Sequence, residues 1–237
     1  MKISMIIPVY NEERFITTLI NKIFKVDFKR EGIDLEVIVV NDGSNDNTYN
    51  KIKNFRNLII LNQDNQGKGR AVQNGINIST GDLIIIQDGD LEYDPKDIIK
   101  MYKKLPSKYW YKYSVYGSRY LPLFLNFIPK YIFKKSRFSY IANIIFILMF
   151  IILYGRLITD PLTGYKLYPR NFFLSNKILS DGFEADHEIS AKLIRENFKI
   201  LEVPISYLPR SKQEGKKINF FDGLKATFTI LKYRFFD

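Results

Sequence analysis

Four short apolar runs mark the first ninety positions: residues 3–7, 35–40, 58–61 and 83–86. Each is nearly continuous rather than alternating, the pattern of strands covered on both faces within a parallel sheet. Polar stretches with helix signals separate them. Asn11 is placed to cap a helix beginning at Glu12. Residues 68–79 read as a helix that Gly81 ends. Asp94-Pro95 opens another, with Asp94 as cap and Pro95 in the first position. Pro8 ends the first strand, and Asn41-Asp42-Gly43-Ser44 breaks the second. The β–α–β–α order predicts an α/β fold, with a mostly parallel central sheet and helices on both faces.

Beyond Thr159 the pattern is mixed. A helix is expected near 186–197, a strand near 200–204, a charged loop over 210–217 and a final helix. In that helix Phe220, Phe221, Leu224, Phe228, Leu231 and Phe235 fall on roughly one face. No repeat, low-complexity tract or linker interrupts the chain, so residues 1–237 are expected to form a single domain. That length is enough to bury a full core.

Charge changes this picture. The chain carries a formal net charge of +11, and all of the excess lies in one window. Residues 98–159 hold 11 Lys or Arg and no acid, whereas the remainder balances 25 basic against 25 acidic residues. The same window contains 11 unbroken apolar residues, 144–154. That run is too short for a membrane span, which takes about 20 residues. Basic residues beside aliphatic and aromatic ones suit a helix lying in an anionic membrane interface, here at about 120–157. An ordinary core helix is the plainer alternative. Nucleic acid is disfavoured, because base stacking needs rings rather than aliphatic chains. Trp110, between Tyr109 and Tyr111, suits either an interface or the core. Cysteine is absent, which excludes disulfides, thiolate metal sites and a cysteine nucleophile. The N-terminus runs directly into a strand, with no signal-peptide pattern.

The candidate chemistry follows the fourth apolar run, in Gln87-Asp88-Gly89-Asp90-Leu91-Glu92. In an extended chain Asp88, Asp90 and Glu92 share one side, and three crowded carboxylates repel one another unless a cation lies between them. Hard oxygen ligands suit Mg2+ or Mn2+. The carboxyl ends of parallel strands are where open α/β sheets bind ligands. The plain alternative is a solvated acidic turn. No G-x-x-x-x-G-K-[ST] loop is present, and Gly67-Lys68-Gly69 lacks the third glycine of a dinucleotide fingerprint. What remains is a set of acids at strand ends: Glu12, Asp42, Asp88 and Asp90. Asp42 and Asp88 can accept from a base and a ribose, and Asp90 and Glu92 can hold a cation against a diphosphate. A nucleotide sugar fits this set.

Pro8-Val9-Tyr10-Asn11-Glu12, Asn41-Asp42-Gly43-Ser44, Gly67-Lys68-Gly69, Thr80-Gly81-Asp82 and Asp88-Gly89-Asp90-Leu91-Glu92-Tyr93-Asp94-Pro95 resemble, in order and spacing, glycosyltransferase family 2. Later segments are similar to its dolichyl-phosphate mannose synthase branch: Gly117-Ser118-Arg119, Thr159-Asp160-Pro161-Leu162-Thr163-Gly164-Tyr165-Lys166, Gly182-Phe183-Glu184, Glu202-Val203-Pro204-Ile205 and Arg210 with Glu214-Gly215-Lys216-Lys217-Ile218. Asn41 stands where an acid is frequent and Gly89 where alanine is. The resemblance implies a GT-A fold, a nucleotide-sugar donor of GDP-mannose or UDP-glucose type, Mg2+ or Mn2+, and inversion at the sugar carbon. It implies a dolichyl or undecaprenyl phosphate acceptor and a peripheral position on the cytoplasmic face of a membrane, as in the short members without C-terminal hydrophobic helices.

In this reading Pro8, Tyr10, Glu12, Asp42, Lys68, Gly69, Asp88, Gly89, Lys216 and Lys217 contact the donor. Asp88, Asp90 and Glu92 hold the metal, and Arg119 and Arg137 grip the acceptor phosphate, Arg137 having lipid headgroups as its alternative. Asp90, Arg119, Arg210, Glu184 and Asp186 serve the reaction. Arg210, Lys216 and Lys217 lie in a loop that Gly215 lets fold over the phosphates. A phosphate acceptor, whose second pKa is about 6, needs no base. A sugar hydroxyl needs one, and Glu184 and Asp186 are the candidates. Otherwise those two position the donor sugar or arginine side chains. His187, the single histidine, reads as a surface or supporting residue. Two alternatives stand beside this reading: a family 2 enzyme acting on a glycan hydroxyl, and a non-catalytic module that binds nucleotide sugars at a membrane.

Overall fold

A computed structural model of the chain describes residues 1–124, 137–210 and 220–236. The centre is a seven-stranded sheet in the order β3-β2-β1-β4-β6-β5-β7. Its strands are β1 (Lys2–Val9), β2 (Asp34–Asp42), β3 (Ile59–Gln63), β4 (Leu83–Ile86), β5 (Tyr113–Ser118), β6 (Lys166–Pro169) and β7 (Lys199–Pro204). The β1–β2, β2–β3, β1–β4 and β5–β7 pairs are parallel. Only β6 is reversed, lying antiparallel to both β4 and β5.

Alternate residues along the strands feed two separate cores, which is why the apolar runs are continuous. On one face Ile3, Met5, Ile7, Val37, Val39, Leu83 and Ile85 pack on α1 (Ile16–Phe24), α2 (Thr48–Ile52) and α4 (Asp97–Lys104). On the other, Ile6, Ile38, Val40, Ile84, Ile86, Tyr116 and Tyr168 meet the remaining helices. These include α3 (Lys68–Ile78), α6 (Arg137–Tyr154), α7 (Arg170–Ser175), α8 (Ala185–Arg195) and α9 (Phe220–Phe235), while a short α5 (Leu121–Phe124) follows β5. Trp110 begins a single helical turn and packs against the first core, with Tyr109 exposed beside it.

Several boundaries differ from the sequence expectations. Pro8 does not end β1; it sits inside the strand opposite Val40. Asn11 adopts φ 53° and caps nothing, and the first helix begins at Ile16, because the chain first closes a turn on the Glu12 carbonyl. Asn41 and Asp42 belong to β2 rather than breaking it. Asp94 accepts from the Lys96 N–H in a turn that precedes α4. The final helix forms as expected, with its apolar face turned outward. Its inner face is Ala226, Thr229, Ile230 and Tyr233, whereas Phe221, Leu224, Phe228 and Phe235 stand in the open.

That exposed stripe has a neighbour. Helix α6 buries Asn143, Phe146, Ile147 and Phe150, yet Ile141, Ile144, Ile145, Leu148, Ile151 and Ile152 face outward. Tyr154 of α6 donates to the Ile230 carbonyl of α9, so the two apolar faces lie on adjoining helices. Among the described residues no helix is long and apolar enough to cross a membrane.

Candidate active site

The parallel strands deliver their carboxyl ends to one edge of the sheet, and the reversed β6 begins there too, with Lys166 opposite Tyr116. Three ion-pair centres are built along this edge.

The first is Lys68, at the start of α3. Its Nζ lies 2.7 Å from Asp88 Oδ1 and 3.8 Å from Asp186 Oδ2, so one ammonium joins the loop after β4 to the first turn of α8. Burial acts to lower the Lys68 pKa, but the Asp88 and Asp186 charges outweigh it and hold the amine protonated. Gly69 lets this helix start nest under the chain at 180–181. Its N–H donates to the Asp181 carbonyl at 2.7 Å, and a Cβ there would collide with the Ser180 and Asp181 backbone.

The second is Arg210. Its Nη2 lies 2.6 Å from Asp90 Oδ2, its Nη1 3.3 Å from Glu12 Oε2 and its Nε 3.7 Å from Glu92 Oε1. The guanidinium also lies over the Phe15 ring, 5.5 Å from the centroid. Three acids thus share one cation. Asp90 is left under-compensated: burial, then Asp88 and Glu92, push its pKa up to about 7 against the opposing Arg210 charge. Gly89 permits the crowding, since a Cβ there would stand 2.9 Å from Val9 Cγ1 and 3.4 Å from Glu12 Cγ.

The third is Arg119, just past β5. Its Nε and Nη2 donate to the two oxygens of Asp160 at 2.6 and 2.7 Å, and its backbone N–H donates to Oδ2 at 2.9 Å. Asp160 is fully buried and Arg119 nearly so. Glu202 accepts from the neighbouring Thr159 N–H, which fixes the segment that carries Asp160. Between the second and third centres stands a tyrosine cluster. Tyr93 stacks on Tyr165 at 4.9 Å, Tyr207 leans on Tyr93 at 5.3 Å, and Arg119 lies 4.9 Å over Tyr207.

The Asp88, Asp90 and Glu92 carboxylates, expected to hold one metal ion, each meet a protein cation here. The chain bends after Ile86 instead of staying extended, so that Asp88 turns to Lys68 while Asp90 and Glu92 both meet Arg210. Glu92 accepts from Tyr207 Oη at 2.8 Å and from the Arg210 backbone N–H at 2.8 Å, which ties down the segment after β7. Among the described residues no three acids or histidines gather as a metal cage. Asp88 and Asp90 nonetheless fit a hard dication. Mg2+ is commonly held by one or two carboxylates, with substrate phosphates and water completing its shell, and the under-compensated Asp90 has charge to give.

Other expectations fare differently. Arg119 was expected to grip an acceptor phosphate, but the bidentate Asp160 already takes its fork. Asp42 spends its oxygens on Gln63 Nε2, the Gln66 N–H and the Gly67 N–H, shaping the turn into α3. Pro8 and Tyr10 lie at and just past the end of β1. Glu184 precedes α8 and accepts weakly from the Gly182 N–H, while its Oε2 is buried without a partner. Beside it a cavity of about 390 Å3 is lined by Leu179, Leu224, Lys225, Phe228 and Lys232 among others. His187 is not at the surface: it is buried and stacked on Phe146 of α6 at 4.9 Å. Lys216 and Lys217 lie outside the described residues, as does the side chain of Arg137. Asp160 and Tyr207 went unassigned in the sequence. Asp160 had two signals, being the first acid after 62 positions without any and lying in the 159–166 segment that carries the branch resemblance.

The sequence as a whole agrees with this arrangement. Residues 4–147 match the profile of Glycosyl transferase family 2. The chain belongs to that family. Among curated family relatives, it is 27% identical to the dolichol-phosphate mannosyltransferase of Pyrococcus furiosus over 98% of this chain and 64% of that protein. It is 28% identical to glycosyltransferase AglJ of Haloferax volcanii over 88% of this chain and 63% of AglJ. The chain thus spans just under two thirds of the length of these two relatives. A shorter match, 36% identical, links 42% of the chain to 32% of an undecaprenyl-phosphate 4-deoxy-4-formamido-L-arabinose transferase from Proteus mirabilis. The fold is that of the GT-A glycosyltransferases. Glucosyl-3-phosphoglycerate synthase of Mycobacterium tuberculosis, solved with uridine diphosphate, superposes with a TM-score of 0.74 at 17% identity, covering 98% of this chain and 79% of that one. The same enzyme with Mn2+, uridine diphosphate and glucosyl-3-phosphoglycerate gives 0.70 at 17% identity, covering 98% and 80%.

Proposed function

We propose that this family 2 chain moves a sugar from a nucleotide-sugar donor to a polyprenyl phosphate at the cytoplasmic face of a membrane, with inversion at the sugar carbon. The observation that carries the reading is the pair Asp88 and Asp90, just past β4, each already facing a protein cation at the edge where β1, β2, β4 and β5 end. Two relatives named for polyprenyl-phosphate sugar transfer support the acceptor class. The apolar stripes of α6 and α9, with the basic window that contains α6, support the membrane surface.

In this reading Asp90 and Asp88 hold Mg2+ or Mn2+, which supplies neutralisation of the charge that grows on the leaving diphosphate. Lys68 and Arg210 stand beside the same acids and can turn to the donor phosphates, with Lys216 and Lys217 assigned there on sequence grounds. Pro8, Tyr10, Glu12, Asp42, Gly69 and Gly89 shape the donor side, Asp42 acting through the turn it organises. Asp186, held by Lys68, and Glu184 orient the sugar. An acceptor phosphate oxygen attacks the anomeric carbon from the face opposite the diphosphate. One C–O bond forms as the C–O bond to the diphosphate breaks, and the acceptor is already anionic at neutral pH, so no proton must be removed. With Arg119 committed to Asp160, the acceptor phosphate falls to Arg137 and to the lysines of the cavity beside Glu184, whose Leu224 and Phe228 suit a prenyl chain.

The unpartnered Glu184 Oε2 favours one second reading, in which it is the base for a sugar hydroxyl acceptor. Incubation with radiolabelled nucleotide sugars, Mn2+ and either a short polyprenyl phosphate or a glycan acceptor separates the two. The first reading requires label in a lipid-soluble, anionic product that forms only when the phosphate is present. Label on the glycan, lost in Glu184→Gln, overturns it.

A further inference from the structure

Among the described residues Arg210 is shared by Glu12, Asp90 and Glu92, at 3.3, 2.6 and 3.7 Å, and Asp90, which it meets most closely, is one of the two acids assigned to the divalent ion. We infer that the Arg210 guanidinium competes with the divalent cation for Asp90, so that metal binds well only when a nucleoside diphosphate arrives to take the guanidinium away. The inference rests on the metal assignment above but goes beyond it, because it concerns the order and coupling of binding rather than the ligands.

The backbone of Arg210 is fixed independently of its side chain. Its N–H donates to Glu92 Oε1, and Tyr207, three residues earlier, donates to Glu92 Oε2. Tyr93 and Tyr207 form a β-bridge, and Leu208 N–H donates to the Glu92 carbonyl. The guanidinium can therefore leave Asp90 by side-chain rotation while its anchor stays in place. A guanidinium and a divalent ion cannot both occupy the inner side of one buried carboxylate, since like charges at that range repel strongly. A diphosphate resolves the conflict. It supplies oxygens that Arg can bind bidentately and further ligands for the ion, so both cations are satisfied at once. Metal and nucleotide then bind with positive coupling, part of which passes through Arg210, and the coupling is reciprocal.

The test is Mn2+ binding to the purified chain, read by the electron paramagnetic resonance signal of free Mn2+, with and without a saturating nucleoside diphosphate, for wild type, Arg210→Ala and Arg210→Gln. Without nucleotide, both variants should bind Mn2+ more tightly than wild type, by a factor within the roughly 5- to 150-fold usual for coupled sites. The gain in Mn2+ affinity on adding nucleotide should be smaller in the variants than in wild type. Mn2+ alone should also raise the melting temperature of the variants more than that of wild type, because the ion replaces a missing counter-charge. Arg210→Gln keeps a hydrogen bond to Asp90 and covers the case in which the alanine variant is poorly folded. Equal or weaker Mn2+ binding by the variants without nucleotide, when all three bind it with nucleotide, overturns the inference and leaves the metal assignment standing. Failure of every protein to bind Mn2+, even with nucleotide, removes the metal assignment and the inference together.

Discussion

Arg119 and Arg210 are both drawn out of water by carboxylates at the same edge of the sheet, but their charges are balanced in different ways. Arg119 has one acid, Asp160, gripped through both oxygens and a backbone N–H. Arg210 has three acids, hydrogen-bonding to Asp90 at 2.6 Å and more loosely to Glu12 at 3.3 Å, with Glu92 3.7 Å away. A one-to-one bidentate pair is a closed unit, and separating it leaves a bare charge in a poor solvent. A guanidinium divided among several carboxylates is held less exclusively by any one of them, which is what a site needs if it is to exchange one cation for another. The first centre holds the chain together; the second is poised for exchange.

Breaking the closed pair should have the largest effect. Asp160→Ala leaves Arg119 buried without a counter-ion and should cost about 3–5 kcal/mol of stability, measured by urea unfolding. A loss under 1 kcal/mol would mean that Arg119 can reach another anion, and the contrast between the two centres would fade. In the open centre, Asp90→Asn should lower turnover by about 10²- to 10³-fold. Its unfolding midpoint should stay near wild type, because the exchange relieves repulsion from Asp88 and Glu92. Unfolding of that variant would instead mark Asp90 as structural.

A third setting sharpens the comparison from the other side. His187 is buried beside Lys166, whose own partners are the carbonyls of Pro161 and Asp186 and the Ser190 hydroxyl. Burial, aided by the Lys166 charge, pushes the His187 pKa down to about 3. The unfolded chain takes up that proton below about pH 6.5, whereas the folded chain refuses it until about pH 3. His187 therefore lowers stability progressively as pH falls from about 6.5 to 3 and contributes no penalty above that window. His187→Phe should flatten the decline in melting temperature across this range. An unchanged slope would show that other groups set the acid limit.

The smallest effect on the fold is expected at the outer faces of α6 and α9. Leu148→Glu and Phe228→Asp should each change stability by no more than about 0.5 kcal/mol. Each should reduce pelleting with anionic vesicles, tested at low salt and with release at high salt. Equal pelleting of wild type and both variants would detach these faces from the membrane reading.

The half of the sheet from β3 to β4 was legible because β1, β2 and β4 are apolar runs buried on both faces, while the edge strand β3, half-buried, still carries a short aliphatic run. In the other half β7 matches the strand expected near 200–204, but β5 and β6 were not legible. Residues Tyr113–Ser118 and Lys166–Pro169 are short, mix Tyr, Ser, Gly and Lys with aliphatics, and owe their strand state to neighbours placed far away in sequence. The last helix showed its apolar periodicity plainly, but periodicity does not say which side faces the protein, and the docking face includes the smaller Ala226 and Thr229. In the site, the acids after β4 and Arg210 were visible as residue types. Their partners were not, since the Lys68–Asp186 and Arg119–Asp160 pairs join positions 118 and 41 residues apart.

Asn143 is, among the described side chains of α6, the one buried polar group in an oily stretch, and it donates to the Thr159 carbonyl at 3.1 Å. A cylinder so evenly greasy could spin about its long axis with little change in burial. That amide sets its azimuth, much as a key sets a shaft. Exchange for leucine should leave the helix intact yet let it roll, so that a different row of isoleucines greets whatever lies outside.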